Sequence, residues 1–65
     1  MVFKKITLIG TSTESFEDAT EDALERAEET LENVKWAEVK EQGVEVANAP
    51  EYEYQVEMEV AFQLE

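Results

Sequence analysis

From Tyr52 to Leu64 every even position is apolar (Tyr52, Tyr54, Val56, Met58, Val60, Phe62, Leu64), while the odd positions from Glu51 to Glu65 are polar except for Ala61. A period of two predicts a β-strand with one buried face. The preceding run, Val34 to Ala47, is a second strand that turns back through Ala47-Asn48-Ala49-Pro50-Glu51. An antiparallel hairpin that sets Ala47 near Tyr52 pairs positions whose numbers sum to about 99. Even residues of the first hairpin strand then share a face with odd residues of the second, which puts Trp36 on the polar side that carries Gln55. Gly43 interrupts the earlier strand, and a bulge or a close backbone approach is expected there. A bulge between the turn and position 36 reverses the face assigned to Trp36.

Two further elements precede the hairpin. Val2 to Gly10 reads as a strand, with Val2, Ile6 and Leu8 on one face and Phe3 and Ile9 on the other. Gly10-Thr11-Ser12-Thr13-Glu14 reads as a loop. Ser15 followed by Asp18 has capping-box spacing and marks a helix start. Phe16, Ala19, Ala23, Leu24, Ala27, Leu31 and Val34 then recur at three and four residues as one apolar stripe. Its alanines let the helix lie close on a sheet. Arg26 is the only cation inside this helix, with Asp22 as its i, i+4 partner.

The order strand, helix, strand, strand gives an α+β chain, a single domain over residues 1–65 with no repeat and no linker. A helix of about 18 residues reaches about 27 Å, whereas the last strand spans about 40 Å. One helix leaves the ends of that apolar face bare. Copies of the same chain are the simplest cover, so a homo-oligomer is expected. Small size points the same way, because a chain this short buries only about 60 % of its unfolded surface.

Composition then removes whole classes of function. There is no cysteine and no histidine, which excludes thiol chemistry, disulfides and the usual neutral-pH base. Seventeen acidic residues against five basic leave a net charge of −12, a surface that repels phosphate backbones and anionic lipid, so neither nucleic acid nor membrane is an expected partner. No stretch is long and apolar enough for a membrane span, and Met1-Val2-Phe3-Lys4-Lys5 lacks the plan of a signal peptide. A cytoplasmic location is expected. The acidity reads either as a solvated surface suited to high salt or as a cation-binding role, and Glu14 and Glu41 are the candidates for the second.

Carboxylate pairs such as Glu57 and Glu59 lie on a solvated strand face, without the burial that acid and base catalysis needs, so an enzyme is not expected. Trp36 and Gln55 are more specific. An exposed indole stacks on a flat ring, and an amide with one acceptor and two donors reads an alternating ring edge such as that of a flavin pyrimidine. The alternatives are a core tryptophan with its N–H satisfied locally and an ordinary polar strand residue. Gln63, on the same face, has no independent support.

The segments Phe3-Lys4-Lys5-Ile6-Thr7-Leu8-Ile9-Gly10-Thr11-Ser12, Ser15-Phe16-Glu17-Asp18-Ala19, Arg26-Ala27 with Thr30-Leu31, Trp36-Ala37-Glu38-Val39 with Gln42-Gly43, and Tyr54-Gln55-Val56 with Val60-Ala61-Phe62 resemble the dodecin family, its haloarchaeal members most. The resemblance implies a β-α-β-β protomer, its helix partly wrapped by a three-stranded antiparallel sheet, assembled as a hollow homododecamer. It further implies flavin sites (riboflavin, lumichrome or FMN) shared by neighbouring protomers. In them a pair of stacked flavins lies between two copies of Trp36, Gln55 bonds the ring edge, and Glu41 helps to place the ribityl chain or a nearby cation. Some relatives bind coenzyme A through basic residues. This chain has no basic cluster and ends Gln63-Leu64-Glu65, so coenzyme A is not expected. Storage and photoprotective sequestration of flavin is the expected role, and an acidic structural homo-oligomer without a ligand is the alternative.

Overall fold

The computed structural model of the chain describes residues 1–47 and 50–65. Four elements follow one another: β1 (Phe3–Ser12), α1 (Phe16–Thr30), β2 (Val34–Glu45) and β3 (Glu53–Gln63). The strands form one sheet in the order β1-β3-β2, with β3 antiparallel to both neighbours. The strand of strict alternation is thus the central one. Its even residues Val56, Met58 and Val60 are fully buried against Ala19, Ala23 and Ala27 of α1, with Ile6, Leu8, Phe16, Leu24, Leu31, Val34 and Ala37 packed around them.

The helix begins where its cap requires. Ser15 is extended, and its Oγ accepts from the Asp18 N–H at 3.0 Å. The Asp18 carboxylate does not complete the box. It accepts instead from Ser12 Oγ at 2.8 Å, and the same Oγ accepts from the Glu14 N–H at 2.9 Å. The Ser12 hydroxyl therefore ties the end of β1 to the first turn of α1, and the Ser15 hydroxyl caps that turn. The helix stops at Thr30, earlier than the stripe predicts: Leu31 is already extended and Asn33 has φ 61°. Leu31 and Val34 still pack on the core, but from the connection and from β2. Arg26 pairs with Glu29 at 3.6 Å, not with Asp22.

The first strand runs two residues past Gly10, because β3 is long enough to pair Thr11 with Gln55 and Ser12 with Tyr54. The expected loop shrinks accordingly. Gly10 is a strand residue under the helix. A Cβ there would lie 2.1 Å from the Ala19 carbonyl oxygen and 2.9 Å from Ala23 Cβ. Glycine and alanine together let helix and sheet approach.

The hairpin register differs from the expected one in two steps. Near the turn Val44 pairs with Tyr54 and Gly43 with Gln55, so like parity faces like. Residues Asn48 and Ala49 of the predicted turn lie outside the described residues. A register shift between Val39 and Glu41 then leaves Lys40 unpaired and restores the odd-even relation, with Trp36 opposite Ala61. A second shift between Val34 and Trp36 leaves Lys35 out. Both surplus residues are lysines. Gly43, the expected bulge site, lies in regular ladder.

Burial is uneven. A 15-residue helix runs about 22 Å, and it lies over β1 and β3 with little reach to β2. On the helix side of β2, Val39 and Val44 remain 49% and 41% exposed. Beyond the ends of β3, Tyr52 and Leu64 are open as well.

Candidate ligand-binding face

The face of the sheet turned away from the helix carries Phe3, Lys5, Thr7, Ile9 and Thr11 from β1, the odd residues of β3, and Trp36, Glu38, Glu41, Gly43 and Glu45 from β2. Trp36, Gln55 and Glu41 all lie on it. This is the face expected for Trp36, reached by a different register. Had the ladder kept the pairing it has at the turn, Trp36 would point under the helix. The bulge at Lys40 prevents that.

Trp36 is 43% exposed. Its ring meets Phe3 with centroids 5.1 Å apart at 59°. Ala61 lies between β1 and β2 as the partner of both Lys5 and Trp36 and is fully buried although it faces outward. Its small side chain lets the two rings meet across the central strand. One signal in the sequence marks this patch: Ala61 is the single apolar residue among the odd positions of β3. Phe3 was legible as an outward residue; its contact with Trp36 was not.

Next to the indole stands a charged group. Lys5 Nζ reaches Glu38 at 2.5 Å and Glu59 at 3.9 Å, and Lys40 Nζ reaches Glu38 at 3.5 Å and Glu59 at 3.4 Å. Glu38 and Glu59 are direct cross-strand partners, so two like charges are held together by two lysines. Hydrogen bonding from Lys5, with the charge of Lys40, lowers the Glu38 pKa. The bond to Glu59, with the charge of Glu38, raises that of Lys40.

Glu41 pairs with Glu57, and among the described residues neither makes an ion pair. One step further, Gln55 lies between Thr11 and Gly43. Its Nε2 donates to Glu53 Oε1 at 3.5 Å, a long bond that a better acceptor displaces. Gln55 is six positions along β3 from Ala61, the partner of Trp36, which at about 3.3 Å per residue is about 20 Å. Indole and amide thus share a face but not a pocket. Within one chain they cannot grip the same ring.

A cleft of about 280 Å³ does open in the single chain, between the edge of β1 and α1, lined by Leu8, Ile9, Gly10, Thr11, Asp22, Ala23 and Arg26. It touches none of the three candidate residues. Among the described residues no group of three or more acidic, histidine or cysteine side chains is placed to hold a metal ion. No helix among them is long and apolar enough to cross a membrane.

The family profile described as dodecin matches residues 2–65. The chain belongs to the dodecin family. A dodecin of Thermus thermophilus is 48% identical over 64 residues, covering 98% of this chain and 93% of that protein. A calcium dodecin of Mycobacterium tuberculosis is 36% identical over 63 residues, covering 97% and 89%. Among solved structures, the Thermus thermophilus protein superposes with a TM-score of 0.88 at 48% identity over 98% of this chain and 94% of the other. The dodecin of Streptomyces davaonensis gives 0.89 at 31% identity over 98% and 94%. The dodecin fold accounts for the β-α-β-β order and the three-stranded antiparallel sheet described above. The match is to a family of small binding proteins, with no catalytic family indicated.

Proposed function

We propose that this chain binds flavins of the riboflavin class (riboflavin, lumichrome or FMN) at sites shared between copies of itself in a homododecamer, and stores and shields them from light. The observation that carries this reading is the position of Trp36. A lone tryptophan in a small domain ordinarily fills the core; this one lies on the face away from the helix, 43% exposed, braced on one side by Phe3. Its free surface suits a planar guest.

The residues present fit such a guest. Stacking on an aromatic side chain contributes about 1 to 3 kcal/mol per ring. Gln55 supplies an acceptor and two donors for the ring edge without a charge. Glu41, two ladder positions from Gln55 on the same face, is the residue for a polar tail or a nearby cation. The separation of indole and amide supports a site built from several copies, and the open helix-side face at Val39 and Val44 supports assembly independently.

Flavin contributes the light-absorbing ring. Trp36, stacked on that ring, would be the residue able to lend it an electron and take it back, a cycle with no net product. The protein acts as a binder and not as an enzyme. The surplus of carboxylates fits a cytoplasm rich in salt, where screening shortens repulsion from about 10 Å to about 3 Å between 0.1 and 1 M. Coenzyme A is not an expected ligand, since Lys5 and Lys40 are engaged with glutamates. One relative is called a calcium dodecin; here the exposed indole favours a ring over an ion.

Titration of riboflavin with the purified protein tests the reading. Strong quenching of flavin fluorescence that Trp36→Ala abolishes supports it. An assembly that leaves riboflavin emission unchanged instead supports an acidic structural oligomer.

A further inference from the structure

The two glycines of this chain are explained differently. Gly10 is required by the fold, because any Cβ would enter the Ala19 carbonyl. Gly43 has no such reason. Its φ is not positive, it sits in regular ladder, and a Cβ built on it meets nothing within 4 Å. A glycine inside a strand weakens it, since it orders at a greater entropic cost and packs nothing. The chain therefore carries a local cost at position 43 that no contact of its own offsets.

The ladder shows what that cost preserves. Gly43 is the direct partner of Gln55 on the outward face. Cross-strand partners stand about 4.5 to 5.5 Å apart at their Cβ atoms, so any side chain at 43 would rise beside the Gln55 amide. On the other flank Thr11 already stands there. Glycine leaves one side of the amide bare.

Resting on the flavin reading above, we propose that Gly43 is the specificity-determining residue of the site: it keeps open the gap beside Gln55 that the edge of a planar tricyclic ring enters while the face of the ring lies on Trp36 of another copy. Side chains at 43 then exclude the ring in proportion to their bulk, whatever tail the ring carries. The fold does not need the glycine.

The test compares Gly43→Ala and Gly43→Val with the unaltered protein, using riboflavin and lumichrome as probes and following thermal melting and size-exclusion elution alongside. The expected result is unchanged assembly, a melting temperature equal to or above that of the parent, and affinity for both probes that falls with Ala and by tenfold or more with Val. Three results overturn the proposal. Gly43→Val binding both probes as the parent does shows that the gap is not used. Loss of riboflavin with lumichrome unaffected shows that position 43 meets the tail. Failure of Gly43→Val to assemble without ligand shows that a neighbouring chain, and not a ring, fills the space. If the parent itself quenches neither probe, the flavin reading fails first and this inference falls with it, an outcome distinct from the other three.

Discussion

Phe3 and Trp36 stand on the two edge strands of the sheet and touch across the central one, their ring centroids 5.1 Å apart at 59° over the buried Ala61. This contact turns a flexible surface indole into an oriented one. It leaves the indole 43% exposed.

Replacing Phe3 by Leu keeps an apolar residue on the edge of β1 and removes the aromatic contact, worth about 0.5 to 1.5 kcal/mol beyond area burial. Trp36 is the only indole, so its emission anisotropy reports the change without interference. Phe3→Leu is expected to lower that anisotropy and weaken riboflavin binding about 2- to 10-fold. Unchanged anisotropy would show that Phe3 does not brace the indole.

Lys40 is the surplus residue whose presence sets Trp36 and Glu41 on one face. Deleting it joins Val39 to Glu41 and regularises the strand. Either Trp36 or the segment Glu41 to Glu45 must then turn over, since a one-residue slip exchanges the faces of a strand. The deletion variant is expected to lose riboflavin quenching completely, whereas Lys40→Gln, which keeps the bulge, retains most of it. Equal behaviour of the two variants would refute a register role for the bulge.

Like charges directly opposed across a ladder are destabilising. Two lysines resolve the Glu38–Glu59 opposition, but no ion pair of the described residues resolves Glu41–Glu57. Glu57→Gln is therefore expected to raise stability by about 0.2 to 1 kcal/mol at low ionic strength. At molar salt the gain is expected to vanish, because screening already removes the repulsion. Thermal melts across a salt series check this, and size-exclusion elution over the same series is expected to show the unaltered assembly loosening as salt is withdrawn. A gain of equal size at both extremes would assign the effect to strand propensity instead of charge.

Gly10→Ala forces a methyl group against a helix backbone carbonyl, which a rotamer change cannot relieve. The helix must lift from the sheet, and overpacking of this kind costs about 1 to 3 kcal/mol. Denaturant titration of the variant is expected to show that loss. Full parental stability would mean that helix and sheet are less tightly apposed than Gly10, Ala19 and Ala23 indicate.

Much of this architecture was legible in the residues. The strict alternation of β3 announced a strand with one buried face, Ser15 announced the helix start, and Ala19, Ala23 and Ala27 announced the close face, whereas the central place of β3 in the sheet was not legible. The outward face of Trp36 was also legible, but through two departures that cancel. The hairpin closes one residue off the expected pairing, and the bulge at Lys40 shifts the register by one more. Period-two reasoning fixes parity within a strand and is blind to a surplus residue. The bulge falls at Lys40, whose ammonium reaches two glutamates on the outer face, and not at Gly43. Separation was the other illegible quantity. A shared face says nothing of distance along the strand, and the ladder sets Trp36 and Gln55 about 20 Å apart.

The most direct measurement is a crystal structure of the assembled protein grown with riboflavin at molar salt. It should show the tricyclic ring flat on the open face of Trp36 from one chain, with its edge within hydrogen-bond distance of Gln55 from another. Electron density with Trp36 packed against protein on both faces, or with the ring bound away from both side chains, would contradict the account.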